Sequence, residues 1–318
     1  MNSPTPTRAR RPRWRLNAKQ VPYVLLAPFV LLFLIFGLFP LLFSLFLAFQ
    51  SWEPTSGLSS MTYVGLDNFV FTLEDEWFWK SVYNTLWLAV VSGVPQHLVA
   101  IPLACIIHGL FKKTRNATIG AYFLPYITST VAIAMMFGTL FSTDYGVINL
   151  VLSKAAQLPC VGQLFPQSPI DWLGEAENIK PAISFVVFWR YVGFNTVLYL
   201  AALQTIPKDM YEAATMDGAN AWKQFWYITL PSLKPMVFFG VTLSIIGGLQ
   251  LFEEPFILTG GRGGTDQSGM TTAIYMYRTA FDFNDFGTAS ALSWILFVFV
   301  AVLTWLTNIA FKPKGGDA

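Results

Sequence analysis

Long apolar runs separated by short polar stretches set the plan of this chain. Val21 to Phe49 is uncharged over 29 residues, longer than the core of a secretory leader and longer than the ~20 residues needed to cross a bilayer. It reads as an uncleaved signal anchor. Five further runs, from about Tyr83 to Phe111, Thr118 to Phe141, Pro181 to Leu203, Pro235 to Leu258 and Gly287 to Phe311, bring the expected total to six. The pattern predicts an all-α polytopic membrane protein with six transmembrane helices and both termini on one side.

Between the fourth and fifth runs lies a polar island, Glu212 to Pro231, with the sequence EAATMDGANAWKQFWYITLP. Pro207 as the first helical residue and Asp209 in the first turn predict a short helix from Pro207 to Met216. Gly218 supplies a bend, and Asn220 caps a second short helix that ends before Pro231. In the first helix Met210, Ala213, Ala214 and Asp217 share one face, small and nearly flat, suited to close contact with another protein.

Composition agrees with a membrane protein: 54% of residues are hydrophobic and only 12% charged, about half the charged share of a soluble domain. The net charge of +2 hides an uneven distribution. Fourteen Lys and Arg fall on the side of the two termini, in the basic tail (residues 1–20), Lys112 to Arg115, the island and its flanks, and Lys312 and Lys314. Five fall on the other side, Lys80, Lys154, Lys180, Arg262 and Arg278, and Arg190 is intramembrane. The positive-inside rule therefore puts both termini and the island in the cytoplasm. The opposite loops are longer and acidic, as Glu53, Asp67, Glu74, Asp75, Glu76, Asp171, Glu175, Glu177 and Asp282 show. Trp77, Phe78 and Trp79 suit an interfacial segment at the outer leaflet.

Little in the chain supports chemistry of its own. Cys105 and Cys160 are too few for a disulfide framework and lie in unlike surroundings, and His97 and His108 read as packing or hydrogen-bonding side chains rather than metal ligands. Gly260 to Gly264 lacks the Gly-Lys-Ser/Thr ending of a phosphate loop and reads as a flexible outer turn. There is no Walker A sequence, zinc-protease motif or catalytic carboxylate pair. Work against a gradient must be powered by another chain, and the island is the point of energy input.

Glu212-Ala213-Ala214, Gly218, Ile228 and Leu230-Pro231 together resemble the EAA loop of permease subunits in bacterial binding-protein-dependent ABC importers. Phe123 to Tyr126, Asp144 to Asn149, Val64 to Phe69, Leu258 to Gly261 and Tyr277 to Phe281 resemble the carbohydrate-uptake type 1 group, MalF-like or LacF-like. The chain departs from it at Arg262, where relatives often carry proline. The resemblance covers nearly everything after the basic tail. It implies a MetI-like importer core over residues 82–311, preceded by the first span (21–49) and an outer loop (50–81), with a coupling loop at 204–234 and a short tail at 312–318. It also implies the partners: a second, usually different permease subunit, two cytoplasmic ATPase subunits and a periplasmic or lipid-anchored solute-binding protein, in the bacterial inner membrane with its lipid. The substrate implied is a carbohydrate, with a glycerol-phosphate-like solute or polyol as the alternative. No cofactor, metal or nucleic acid is called for. A self-sufficient secondary transporter or an intramembrane enzyme would not need this loop.

By the resemblance, Glu212 anchors the coupling helix, Ala213 and Ala214 allow close approach, Gly218 sets the bend, and Asp217, Leu230 and Pro231 complete the ATPase-coupling set. For the substrate pathway the residues themselves nominate Arg190, Tyr191, Phe194 and Asn195 on the fourth span, and Gln250, Glu253 and Glu254 on one face of the fifth. Amide and charged groups beside aromatic rings suit a sugar. Arg190 with Glu253 or Glu254 reads equally as an ion pair between helices.

Overall fold

A computed structural model describes residues 17, 19–158, 162–166 and 168–311. The basic tail before Asn17, Cys160, Lys312 and Lys314 lie outside them.

The first span is α1 (Val21–Phe33) and α2 (Phe39–Leu47), joined through a π-helical turn at Leu34–Leu38. A short ribbon follows, in which β1 (Gln50–Ser51) pairs antiparallel with β2 (Thr62–Tyr63), and then α3 (Asp67–Glu74). The Asn68 amide holds this region together by donating to the carbonyls of Ala48 (3.0 Å) and Gln50 (2.9 Å).

The second span, α4 (Glu76–His108), starts seven residues before the expected Tyr83, because the Asp75 carboxylate accepts from the Trp77 amide at 3.0 Å and caps it. Trp77 and Trp79 remain exposed, as an interfacial segment requires, but Phe78 is buried. The third span departs from the expected single helix. It is broken into α5 (Lys112–Ile127) and α6 (Thr130–Leu140), and their apolar parts diverge by 93°. Thr128 and Ser129 are both extended there, and the Leu124 carbonyl accepts from both the Thr128 amide at 3.1 Å and the Thr128 hydroxyl at 2.7 Å, so the last helical bond of α5 is doubled by a side chain where the helix stops.

α7 (Val147–Ala156) lies in the following loop, and α8 (Ala176–Leu203) forms the fourth span. It begins before Pro181, which sits in its second turn. Next come α9 (Lys208–Met216) and α10 (Ala221–Gln224), a second π turn at Phe225–Thr229, and α11 (Leu230–Leu249). α12 (Glu253–Leu258), α13 (Thr272–Phe281) and the last span α14 (Phe286–Phe311) complete the chain.

Among the described residues five helices are long and apolar enough to cross a membrane, and the bent pair makes a sixth. α4 and α8 are the central pair, against which α5 and α11 pack, while α6 packs on α12. One apolar core gathers Leu88, Ile133, Phe137, Ile183 and Val186 beside the helix breaks, and a second gathers Ala100, Ile107, Tyr199, Leu200 and Leu233 nearer the hairpin end.

The fifth span is also broken. Phe252 is non-helical (φ −130°, ψ −57°), and Pro255 falls in the first turn of a new helix, where its missing N–H costs nothing. The Leu251 carbonyl, which that N–H would have served in a continuous helix, accepts instead from the Thr271 hydroxyl at 2.7 Å. Gln250 and Glu253–Glu254 therefore do not lie on one helical face.

The glycine segment is a wound, packed turn and not a flexible one. Gly260, Gly261, Gly263 and Gly264 all have positive φ, the Gly269 amide donates to the Gly263 carbonyl at 2.8 Å, and a side chain at Gly263 would overlap Met270.

Candidate functional site

Two regions carry most of the expected functional residues, a hairpin built by local sequence and a cavity assembled from elements far apart in the chain. In the hairpin between α8 and α11, Pro207 is the extended N-cap of α9 and not its first residue. α9 ends as expected at Gly218 (φ +78°). The Gly218 amide donates to the Thr215 carbonyl at 3.0 Å and the Ala219 amide to the Ala214 carbonyl at 2.9 Å, which closes the helix in a Schellman motif. Asn220 then caps α10, its side chain accepting from the Lys223 amide at 2.9 Å.

The second arm does not stop before Pro231. It runs through the π turn into the fifth span, and Leu230 donates to the Phe225 carbonyl five residues back. The wider turn makes room for the Pro231 ring, which an α-helical turn would crowd.

Polar contacts lock the two arms. The Tyr211 and Thr229 hydroxyls lie 2.9 Å apart, and the Gln224 amide donates to the Thr215 hydroxyl at 3.0 Å and the Ala219 carbonyl at 3.2 Å. The outer surface of the hairpin is left bare. Glu212, Ala213, Asp217 and Gly218 are exposed, Ala214 and Leu230 half-buried, and Pro231 exposed. Apolar side chains join them, with Met216 88%, Trp222 68% and Tyr227 80% exposed. The hairpin thus presents apolar side chains beside charged groups on a single exposed surface.

The second region is a cavity of about 220 Å³ walled by α4, α5, α8 and α11. Tyr191, Phe194 and Asn195 line it, as do two side chains that sequence reasoning missed, Gln96 and Tyr126. Asn195 Nδ2 donates to Gln96 Oε1 at 3.1 Å, and the Tyr126 ring stacks on Phe194 at 4.6 Å between centroids. The remaining amide groups and three aromatic rings thus converge on one space. Tyr126 belongs to the Phe123 to Tyr126 segment, which carries part of the family resemblance but no assigned role. Gln96 was visible as an amide inside an apolar run, and neither signal says that α4 and α5 meet α8 here.

The other nominated residues are divided. Arg190 Nη1 lies 2.5 Å from Glu254 Oε1, and their side chains are 11% and 3% exposed. Glu253 is exposed, and so is Gln250, which faces a separate open groove of about 640 Å³ lined also by Phe252, Tyr277 and Phe281. His97 Nδ1 shares a 2.7 Å hydrogen bond with the Tyr199 hydroxyl, as expected of a packing histidine.

A family model described as the inner membrane component of binding-protein-dependent transport systems matches residues 100–312. The chain belongs to this family. The permease is 32% identical to the arabinooligosaccharides transport system permease protein AraP of Bacillus subtilis, over 98% of this chain and 97% of that protein. It is 34% identical to the lactose transport system permease protein LacF of Rhizobium radiobacter, over 92% and 94%. Its fold matches a bacterial ABC transporter involved in import of the acidic polysaccharide alginate, with a TM-score of 0.80, 25% identity and coverage of 94% of this chain and 97% of that one. It also matches the alginate transporter in complex with a periplasmic protein bound to an alginate pentasaccharide (TM-score 0.78, 27% identity, 92% and 94% covered). The helical multi-span architecture expected from the apolar pattern, and the permease core implied by the resemblance, are those of this family.

Proposed function

We propose that the permease forms half of the translocation pathway of an ATP-driven importer for a carbohydrate, with a second permease subunit supplying the other half. The observation that carries the carbohydrate reading is the cavity in which Tyr126, Tyr191 and Phe194 surround the Gln96–Asn195 amide pair. Rings offer a platform to the apolar face of a sugar, and amides pair with its hydroxyls. At about 220 Å³ the cavity falls below the roughly 300–1,000 Å³ of a complete small-molecule site. This volume suits one sugar unit, and the Gln250 groove would complete the path against the second subunit. Relatives named for arabinooligosaccharides and lactose support the same class and do not favour glycerol phosphate or a polyol.

Energy would enter through the hairpin. In this reading it is cytoplasmic, as the Lys and Arg distribution indicates, and docks on one of two ATPase subunits. A solute-binding protein delivers substrate at the opposite face. ATP-driven closure of the ATPases moves the hairpin, and the spans rock between inward- and outward-facing states. The importer core would span residues 82–311, with the first span an added element.

In the complete transporter, Glu212→Ala and Gly218→Val are expected to uncouple ATP hydrolysis from uptake or to detach the ATPase. A β-branched residue at φ +78° costs about 1–2 kcal/mol and disturbs the turn that sets the two arms. Normal co-purification of the ATPase with normal uptake in both variants would remove the hairpin from this role. Gln250→Ala is expected to lower the maximal uptake rate of labelled oligosaccharide severalfold while ATPase assembly stays intact. Unchanged uptake kinetics would take Gln250 off the path.

A further inference from the structure

The polar groups lining the cavity are hydroxyls and amides, and no Asp, Glu, Lys or Arg lines it. A positive charge nevertheless lies just behind the wall. The Arg190 guanidinium sits over the Tyr191 ring, Cζ 5.3 Å from the centroid, and Tyr191 is itself part of the lining. The guanidinium is turned onto Glu254, which the helix break at Gln250–Phe252 delivers on α12 against α8. Its Nε is buried without a hydrogen-bond partner. A planar cation with an unused donor, shaped to take a carboxylate, is therefore neutralised by one side chain.

We propose that Glu254 sets the charge of the sugar this permease accepts. By holding Arg190 in a buried pair it leaves the cavity neutral, so the unit taken there is an uncharged saccharide ring and a uronic acid ring is refused. A carboxylate brought into this cavity would lose water and gain no cation, which is costly. An uncharged ring loses only hydroxyl hydration, which Gln96 and Asn195 replace. With Glu254 made neutral, the freed guanidinium stands next to Tyr191 and supplies the missing counter-charge. The inference rests on the carbohydrate reading above and concerns the same cavity.

The test uses the complete transporter in nanodiscs, with arabinobiose and lactose as neutral probes and a mannuronate disaccharide as the acidic one. Binding is read by saturation-transfer NMR, and assembly by co-purification. The wild type is expected to bind a neutral probe at least roughly tenfold more tightly than the acidic one. Glu254→Gln is expected to narrow that gap to about threefold or less by strengthening acidic binding. The double change R190M/E254M removes both charges and is expected to keep the wild-type gap. It is also the informative variant if E254Q fails to assemble. A wild type that binds both charge classes equally overturns this proposal alone, as does an assembled E254Q that keeps the full gap or an R190M/E254M that loses it. A wild type that binds neither class overturns the carbohydrate reading and this proposal with it.

Discussion

Truncating Arg190 to alanine is expected to destabilise the permease by about 3–5 kcal/mol, because it strands a buried carboxylate. Glu254 is 3% exposed and its Oε1 lies 2.5 Å from Arg190 Nη1, so without the guanidinium its carboxyl group is left buried with no cation beside it or drags water into the junction of α8 and α12. The damage would spread, because α12 packs on α6 and both are half-spans held in place by their neighbours. By contrast, R190M/E254M replaces the pair with apolar side chains of similar length and should be nearly neutral, as exchanges of whole buried pairs tend to be. Thermal unfolding of the detergent-purified transporter separates the cases. An Arg190→Ala protein that melts with the wild type would show that the pair bears no structural load.

Gly193→Ala should be as damaging from a single methyl group. α5 crosses α8 so closely there that a Cβ at Gly193 would overlap the Tyr122 carbonyl oxygen, which is backbone and cannot rotate aside. Something must shift, and overpacking of this kind costs about 1–3 kcal/mol and sometimes more. Functional loss should exceed the loss of stability, because Tyr126 follows Tyr122 by one turn and stacks on Phe194, next to the altered residue. Moving α5 outward would separate these rings and open the cavity wall. The expected result is a lowered melting temperature together with an oligosaccharide affinity reduced roughly tenfold or more, as misplacement of binding groups by about 1 Å commonly produces. A Gly193→Ala variant with full affinity would show that α5 relaxes without disturbing the site.

Most of this architecture could be read from period and punctuation. Apolar runs long enough to span located all six crossings, though not the bend within the third, and the hairpin announced itself through Gly218 and Asn220, whose conformational preferences are local. The missed features depend on partners far away in sequence. Hydropathy is blind to the break between α5 and α6, because Thr128 and Ser129 interrupt a helix without adding charge. Gln250, Glu253 and Glu254 share a face only if the fifth span is one helix, whereas Pro255 lies in the first turn of a second one. What settles the difference is Thr271 reaching back to the Leu251 carbonyl. Likewise, Tyr191, Phe194 and Asn195 could be grouped by helical spacing, but Gln96 joins them only because α4 packs on α8, and Gln250 leaves them only because the fifth span breaks beside it. Arg190 and Glu254 stood as open alternatives in the sequence until their contact was seen.

The unbroken course of the chain from Ala221 through the π turn to Leu249 makes the second arm of the hairpin and most of the fifth span a single lever. Its 29 residues extend roughly 44 Å at ~1.5 Å per residue. Each degree by which Trp222 and its neighbours are tilted would therefore carry the far end, beside Gln250, through roughly 0.7–0.8 Å. A few degrees of rotation in the hairpin would move a wall of the proposed sugar path by the width of an atom, with no need for a chain of side-chain rearrangements in between.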